Sequence, residues 1–191
     1  AFQGEQNISP SDNDEKIPDI ISDNQGNIHI VWMEQNGVNT NVSYTRTTDG
    51  GEIFSDPVQV NSITGNVIAY PQSGPIIKAY NENLYVVYMD NRSGLTAVYM
   101  NISDDNGDNW GEDILISDQT YMQMYMDMEI DSDGTLHLIY YNFASNNLIQ
   151  DVRYATMVTG EEAFSPSSVV GLVDEYQEPC DCCQPDLFIT N

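Results

Sequence analysis

The sequence predicts an all-β fold assembled from repeated four-stranded units, and three observations carry that reading. First, one turn pattern occurs twice. Thr47-Thr48-Asp49-Gly50-Gly51-Glu52-Ile53-Phe54 and Ser103-Asp104-Asp105-Asn106-Gly107-Asp108-Asn109-Trp110 both read Ser/Thr-x-Asp-x-Gly-x-x-aromatic, with their third-position aspartates 56 residues apart. A turn that recurs at such a period marks an array of similar supersecondary units. Second, one apolar run occurs three times: Asn27-Ile28-His29-Ile30-Val31-Trp32-Met33-Glu34, Asn83-Leu84-Tyr85-Val86-Val87-Tyr88-Met89-Asp90 and Thr135-Leu136-His137-Leu138-Ile139-Tyr140-Tyr141-Asn142. These runs are rich in β-branched and aromatic residues, with no helical spacing. Both of their faces are apolar, as suits a strand sandwiched between neighbouring sheets. Third, the same flanking segments surround each run in the same order.

Taken in order, each unit has a first strand, at 18–23, 75–80 and 127–131, then the apolar run as its second strand. Third strands lie near 41–45, 97–102 and 151–156, and fourth strands follow at 54–60, 110–116 and 164–170. The units therefore span about 17–61, 74–117 and 127–171. In the third unit Gly160 survives at the turn, but no aspartate stands at the expected place. The turn has a local logic. Gly51 and Gly107 tolerate positive φ, and the Asp and Ser/Thr side chains bond nearby amides. The boxed aromatic can fold beneath the hairpin. At the ends, residues 1–9 read as a fourth strand and residues 185–191 as a first strand. The expectation is one domain over 1–191 holding three whole units and a half-unit at each end. Such a chain is a piece of a longer protein or is completed by another chain; an unusual small all-β domain is the alternative.

The two boxes, Thr47, Asp49, Gly51, Phe54 and Ser103, Asp105, Gly107, Trp110, resemble the Asp box of the BNR-repeat, sialidase-like β-propellers. The resemblance implies a propeller fragment from a ring of six blades. It makes the box a staple between the third and fourth strands of a blade, away from the active site. It also implies that the ligand face is formed by the loops joining blade to blade and second strand to third. Those loops are 10–17, 34–40, 62–74, 90–96, 118–126, 142–150 and 172–184.

Charge excludes several partners. The chain carries 30 Asp plus Glu against 5 Lys plus Arg, a net −25. Nucleic acid is a very poor partner, because the phosphate backbone demands cations. Anionic membrane surfaces are excluded for the same reason. No apolar run approaches a membrane span, so membrane insertion is not expected. Four sequons, at Asn7, Asn41, Asn91 and Asn101, permit glycosylation. With the family habit they favour an extracellular, periplasmic or cell-surface location.

Several constellations on the implied ligand face carry chemistry. Asp90-Asn91-Arg92-Ser93-Gly94 follows a second strand directly. Asp90 and Arg92 either brace the loop or present a fork that clamps a carboxylate. Glu34 ends the first apolar run on the same face. Cys180-Asp181-Cys182-Cys183 holds every cysteine of the chain. An odd count precludes a complete set of internal disulfides, and clustered thiolates suit soft or borderline metals. Met122, Met124, Met126 and Met128 alternate, so an extended segment puts all four on one face. Thioether plus thiolate is a Cu(I) ligand set. Cu or Zn held by Cys180, Cys182, Cys183 and Met122, Met124, Met126 is therefore one expectation; a disulfide within the cluster and an apolar methionine strip is the other. Asp131-Ser132-Asp133-Gly134 resembles the start of a Ca²⁺ loop but lacks the bidentate Glu. Asp12, Asp14 and Glu15 form a second hard-cation candidate. His29 and His137 share one mid-strand position and read as packed between blades.

Two function classes follow. The first is an extracellular binding or scaffold propeller, for a glycan, a protein or a soft metal. The second is a sialidase-like glycoside hydrolase whose site is completed by blades outside this chain. The family's arginine triad is not identifiable. Lys16-Ile17-Pro18 stands where the first-blade Arg-Ile-Pro is expected, and only Arg46, Arg92 and Arg153 exist. The binding propeller is the leading expectation.

Overall fold

The computed structural model describes residues 4–116, 119–144, 149–172 and 183–190. It is all β. The first sheet runs in the order β1 (Asp14–Ser22), β2 (Ile28–Asn36), β3 (Asn39–Thr47), β4 (Val58–Gln59). In the second, β5 (Val67–Ile68) and β6 (Ile76–Tyr80) share one edge of β7 (Asn83–Asp90). Then follow β8 (Ala97–Ser103) and β9 (Ile114–Leu115). The third sheet is β10 (Met122–Ile130), β11 (Thr135–Phe143), β12 (Ile149–Val158), β13 (Ser168–Leu172). Every pairing is antiparallel. Each sheet is thus an antiparallel meander and is termed a blade. The first strands begin earlier than the sequence suggests, so Met122–Ile130 is strand where a connecting loop is expected up to residue 126.

The core lies between blades. Tyr44, Tyr85, Tyr88, Tyr140, Met89, Met100, Met126 and Leu138 are fully buried within one cluster. Each such side chain contributes about 1.5–3 kcal/mol through apolar burial. The tight glycine in the second Asp box shows how closely the blades approach. A Cβ on Gly107 would overlap the Tyr44 ring of the preceding blade, and the T-shaped contact of Tyr44 with Trp110, at 5.1 Å, completes the junction.

Both Asp boxes close through their own side chains. In the first, Thr47 Oγ1 donates to Asp49 at 2.6 Å, while the amides of Glu52 and Ile53 donate to Asp49 at 2.9 and 3.0 Å. In the second, Ser103 Oγ donates to Asp105 at 2.9 Å, and the amides of Gly107 and Asn109 donate to Ser103 and Asp105 at 2.8 Å. The boxes also join blades. Arg46 on β3 donates to the Asn106 carbonyl and, at 2.6 Å, to Asp108 in the next blade's box.

Candidate functional site

The innermost strand of every blade is broken at one place, on the side where blades connect. In blade one β1 carries a bulge between Lys16 and Asp19, with Ile17 at φ 52°. In blade three β10 bulges between Met124 and Met126, with Tyr125 at φ 54°. In blade two the strand is interrupted outright, and residues 69–75 leave the sheet between β5 and β6. A β-branched residue at positive φ is a genuine outlier. Bulges re-aim side chains and gather beside functional sites. Here the three breaks touch in series. Ile17 packs so closely on Gly74 that a Cβ there would meet Ile17 Cγ2 at 2.5 Å. Tyr70, from the excursion, meets Tyr125 with ring centroids 5.6 Å apart, and Tyr125 packs on Phe143 at 5.8 Å.

A cleft of about 740 Å³ opens beside the first two breaks, lined by Lys16, Ile17, Met33, Thr40, Ile68 and Pro71 among others. Its size falls within the range of small-molecule sites. Among the described residues Lys16 is its one cation, held by Asp14 at 2.6 Å and donating to Gln35 at 3.3 Å. On the same face Gln72 Oε1, Ser73 Oγ, Gln123 Oε1 and Asn142 Oδ1 are buried without a hydrogen-bond partner among the described residues. Buried polar atoms are normally paired, so this face holds unspent hydrogen-bonding capacity.

Deeper along the inner strands, Asp19 clasps the next blade and Asp127 clasps the C-terminal segment. Asp19 accepts the amide of Ile77 at 2.9 Å, and Asp127 accepts that of Leu187 at 2.7 Å. Each also accepts the amide of the residue that follows it, at 2.9 Å. Burial pushes the Asp127 carboxyl above its ordinary value despite these bonds. Lys78 pairs with Glu129 at 2.7 Å across the second junction. The sequence signal for the clasp is an aspartate at one repeat position, in Pro18-Asp19, Met126-Asp127 and Pro185-Asp186, with Ile76 there in blade two.

The sequence-derived candidates fall in three places. Arg92 is enclosed by its own blade, donating to Asp90 at 2.7 Å and Asp113 at 2.6 Å and lying 4.3 Å over the Tyr99 ring. Burial works against its charge, but the two carboxylates outweigh burial and hold the guanidinium above its ordinary value. Asp113 in turn accepts the Ser62 amide and hydroxyl, which ties the fourth strand to the connection between blades. Burial would raise the Asp113 carboxyl, yet the bonds from Tyr88, Asn101, Arg92 and Ser62 leave it below the usual range. Glu34 sits away from this cleft, on the opposite face of the first blade, where it accepts Ser43 Oγ at 2.6 Å and a bond from Asn13. His29 and His137 each bridge a turn aspartate and a third-strand tyrosine: Asp23 and Tyr44, and Asp131 and Tyr154.

The metal expectations are corrected. Among the described residues no group of three or more His, Cys, Asp or Glu is placed to hold an ion. The methionine stripe does not survive the bulge. Met122 and Met124 pair with Phe143 and Tyr141, whereas Met126 and Met128 pair with Tyr140 and Leu138, so the two pairs face opposite sides of the sheet. Met124 and Met126 are also buried in the core. Cys183 is exposed; Cys180 and Cys182 lie outside the described residues. Among the described residues Cu and Zn therefore find no ligand set. Ca²⁺ at 131–134 fails because Asp131 already accepts the amides of Asp133 and Thr135 and faces His137. Around Asp12, Glu15 accepts Ser9 and Ser11 hydroxyls while Asp14 pairs with Lys16.

Several solved structures of similar architecture are carbohydrate-active enzymes. An α-L-arabinanase of Penicillium chrysogenum complexed with arabinobiose matches with a TM-score of 0.62 at 15% identity, over 85% of this chain and 52% of its own. A GH43_1 enzyme from Xanthomonas citri matches at 0.58 and 14%, over 88% and 59%. A PL25 ulvan lyase bound to a glucuronate–sulfated rhamnose ligand matches at 0.56 and 14%, over 86% and 45%. The chain thus spans about half the length of these proteins. The expectation of a non-catalytic binding module is overturned by this set, which consists of glycan-degrading enzymes. No curated protein matches the sequence. Residues 3–161 match the BNR repeat-containing family, and the chain belongs to that family.

Proposed function

We propose that this chain forms part of an extracellular glycan-degrading enzyme acting on a neutral, pentose-containing polysaccharide at the blade-connecting face. The observation that carries the reading is the 740 Å³ cleft beside the strained Ile17, in a fold whose solved relatives cleave glycans. Strain at a cleft is a feature of positioned sites. Three blades that match about half of each relative fit a closed ring of about five or six. Hydrolysis of a glycosidic bond needs two carboxyl groups flanking it. Asp19 and Asp127 are each engaged by two backbone amides, so they serve as strand clasps. The reacting pair is assigned to a site completed by the rest of the ring. Lys16, with Gln35, orients a sugar hydroxyl in the cleft.

Charge selects among the relatives' ligands. A net −25 chain repels uronate and sulfate, so a neutral polymer is favoured over an ulvan-like one. A sialoside is disfavoured on two counts: it is anionic, and Lys16 lacks the bidentate fork of arginine. The test is reducing-sugar release by the full-length protein from arabinan and arabinoxylan, with ulvan as the anionic control. Release from the neutral polymers, with a KM several-fold higher in Lys16→Ala and an unchanged kcat, is expected. Unsaturated-uronate absorbance from ulvan alone overturns the neutral-substrate reading, and no product from any polymer overturns the enzyme.

A further inference from the structure

The 740 Å³ cleft beside Ile17 is open because the inner strand of blade two stops early. Val67 and Ile68 pair with Asp90 and Met89, the chain then leaves the sheet, and β6 resumes the ladder only at Ile76. The space left lies between the β2–β3 side of blade one and β5 of blade two. Both walls therefore belong to this chain. The junction is already filled by its own two blades, so closing the ring places no further blade in it.

The lining is chemically unlike a site for a bare sugar. Met33, 5% exposed, lies deepest, and Val38, 91% exposed at the tip of the β2–β3 hairpin, stands at the rim. Val67, Ile68 and Ala69 line the blade-two side. The three polar side chains of the lining, Lys16, Gln35 and Thr40, already have partners. Thr40 Oγ1 donates to the Val67 carbonyl, Gln35 Nε2 donates to the Gly37 carbonyl at 3.1 Å, and Lys16 Nζ donates to Asp14 and Gln35. Among the described residues none of the lining is aromatic. A sugar ring held against these walls loses water from its hydroxyls without regaining the bonds, whereas an apolar group gains by burial there. Two groups select an aromatic ring over an alkyl chain. The Met33 thioether is favoured at a ring edge, and the Lys16 ammonium at the mouth attracts a ring face. The third N–H of Lys16 remains for a sugar oxygen. A chain of net −25 repels a free aromatic carboxylate, but its ester is neutral.

We infer that this cleft receives an aromatic acyl ester carried by a pentose of the substrate. The sugar stays at the Lys16 mouth, and the aromatic ring lies over Met33 beneath Val38. The pentose rests on the proposed function, whereas the aromatic group is read from the cleft itself. The substrate class thereby narrows from a neutral pentose-containing polysaccharide to one decorated with aromatic esters.

The test compares arabinobiose, its acetyl ester and its feruloyl ester by titration calorimetry on the full-length protein. The feruloyl ester is expected to bind at least about tenfold more tightly than the other two, as burial of an aromatic ring does. Methionine ¹³C-methyl labelling locates the ring. The Met33 signal, assigned by its loss in the volume-conserving Met33→Leu, is expected to move upfield with the feruloyl ester and to stay in place with the acetyl ester. Methyl ferulate, which lacks the sugar, is expected to move the same signal at higher concentration. Val38→Ser, at an exposed tip, is expected to reduce the preference for the feruloyl ester about threefold. Equal affinities for the three sugars overturn the proposal, as does tight ester binding with an unmoved Met33 signal. A Met33 shift that follows protein concentration without ligand also overturns it and assigns the cleft to a second copy. The outcomes stay separate from those of the proposed function. Methyl ferulate moving Met33 without turnover of any polymer keeps the aromatic pocket and removes the enzyme, and turnover of arabinan with no ester preference does the reverse.

Discussion

The Asp19 carboxylate on the inner strand of the first blade accepts the amide of Ile77 on the inner strand of the second, at 2.9 Å. Asp127 repeats the contact with Leu187 at 2.7 Å. Each of these two aspartates thus supplies an acceptor for a backbone amide outside its own sheet. Asp19→Ala and Asp127→Ala are each expected to cost about 1–3 kcal/mol, the penalty for a part-buried donor left unpaired. The two junctions share no partner, so the double variant is expected to show additive loss in urea unfolding. Losses below about 0.5 kcal/mol for both would show that the clasps are incidental.

Arg92 is a structural residue by its surroundings. Asp90 is 0% and Asp113 2% exposed, so removing the guanidinium strands two buried carboxylates. Arg92→Ala is expected to cost about 3–5 kcal/mol by chemical denaturation. Arg92→Lys recovers only part of that, because a point charge cannot fork between two carboxylates and stack on Tyr99. A near-neutral Arg92→Ala would return Arg92 to the list of ligand contacts.

The two Asp-box glycines differ although the sequence makes them equivalent. Gly51 sits at φ 97° with nothing within 4 Å of a built Cβ, so Gly51→Ala is expected to cost only the left-handed penalty, about 1–2 kcal/mol. Gly107, at φ 92°, lies against the Tyr44 ring. Gly107→Ala is expected to cost about 2 kcal/mol more, from overpacking. Equal thermal shifts for the two variants would contradict the blade contact.

Acidification is expected to loosen the first blade through His29. Burial depresses its pKa below 6.5, against the pull of Asp23. The unfolded chain then binds the extra proton, so stability is complete above about pH 6.5 and falls as pH drops towards the depressed folded value. Asp23 extends the decline lower. Burial would raise its carboxyl, but bonds from Asn27, Gln25 and His29 hold it below 3.8. The slope contributed by His29 is at most about 1.4 kcal/mol per pH unit. The difference in urea midpoint between native protein and His29→Gln, followed from pH 7.5 to 5.5, isolates it. A difference that does not vary with pH contradicts a neutral buried imidazole.

The blades were legible because their cause is local. The boxed residues Thr47, Asp49 and Gly51, and Ser103, Asp105 and Gly107, specify a turn within a few residues of chain. The apolar runs through Val31, Val87 and Ile139 specify strands by their β-branched and aromatic content. The methionines show the limit. Met122 to Met128 alternate in sequence, yet one residue at positive φ, Tyr125, sends half of them to the other face. Nothing in the residue pattern announces that bulge, since Tyr125 is an ordinary strand residue whose conformation is held by Tyr70, Tyr141 and Phe143 around it.

By itself, then, the sequence determined what short-range chemistry determines: strand, turn, repeat, and a charge that repels anions. The tertiary structure alone decided which side chains meet. Arg92 closes on Asp113 just before the fourth strand, Ile17 rides on Gly74 of the next blade, and Trp32 is left buried with no acceptor for its donor among the described residues. Those outcomes depend on register and on the spacing between blades, which are set by contacts dozens of residues apart and leave no mark at the positions they govern.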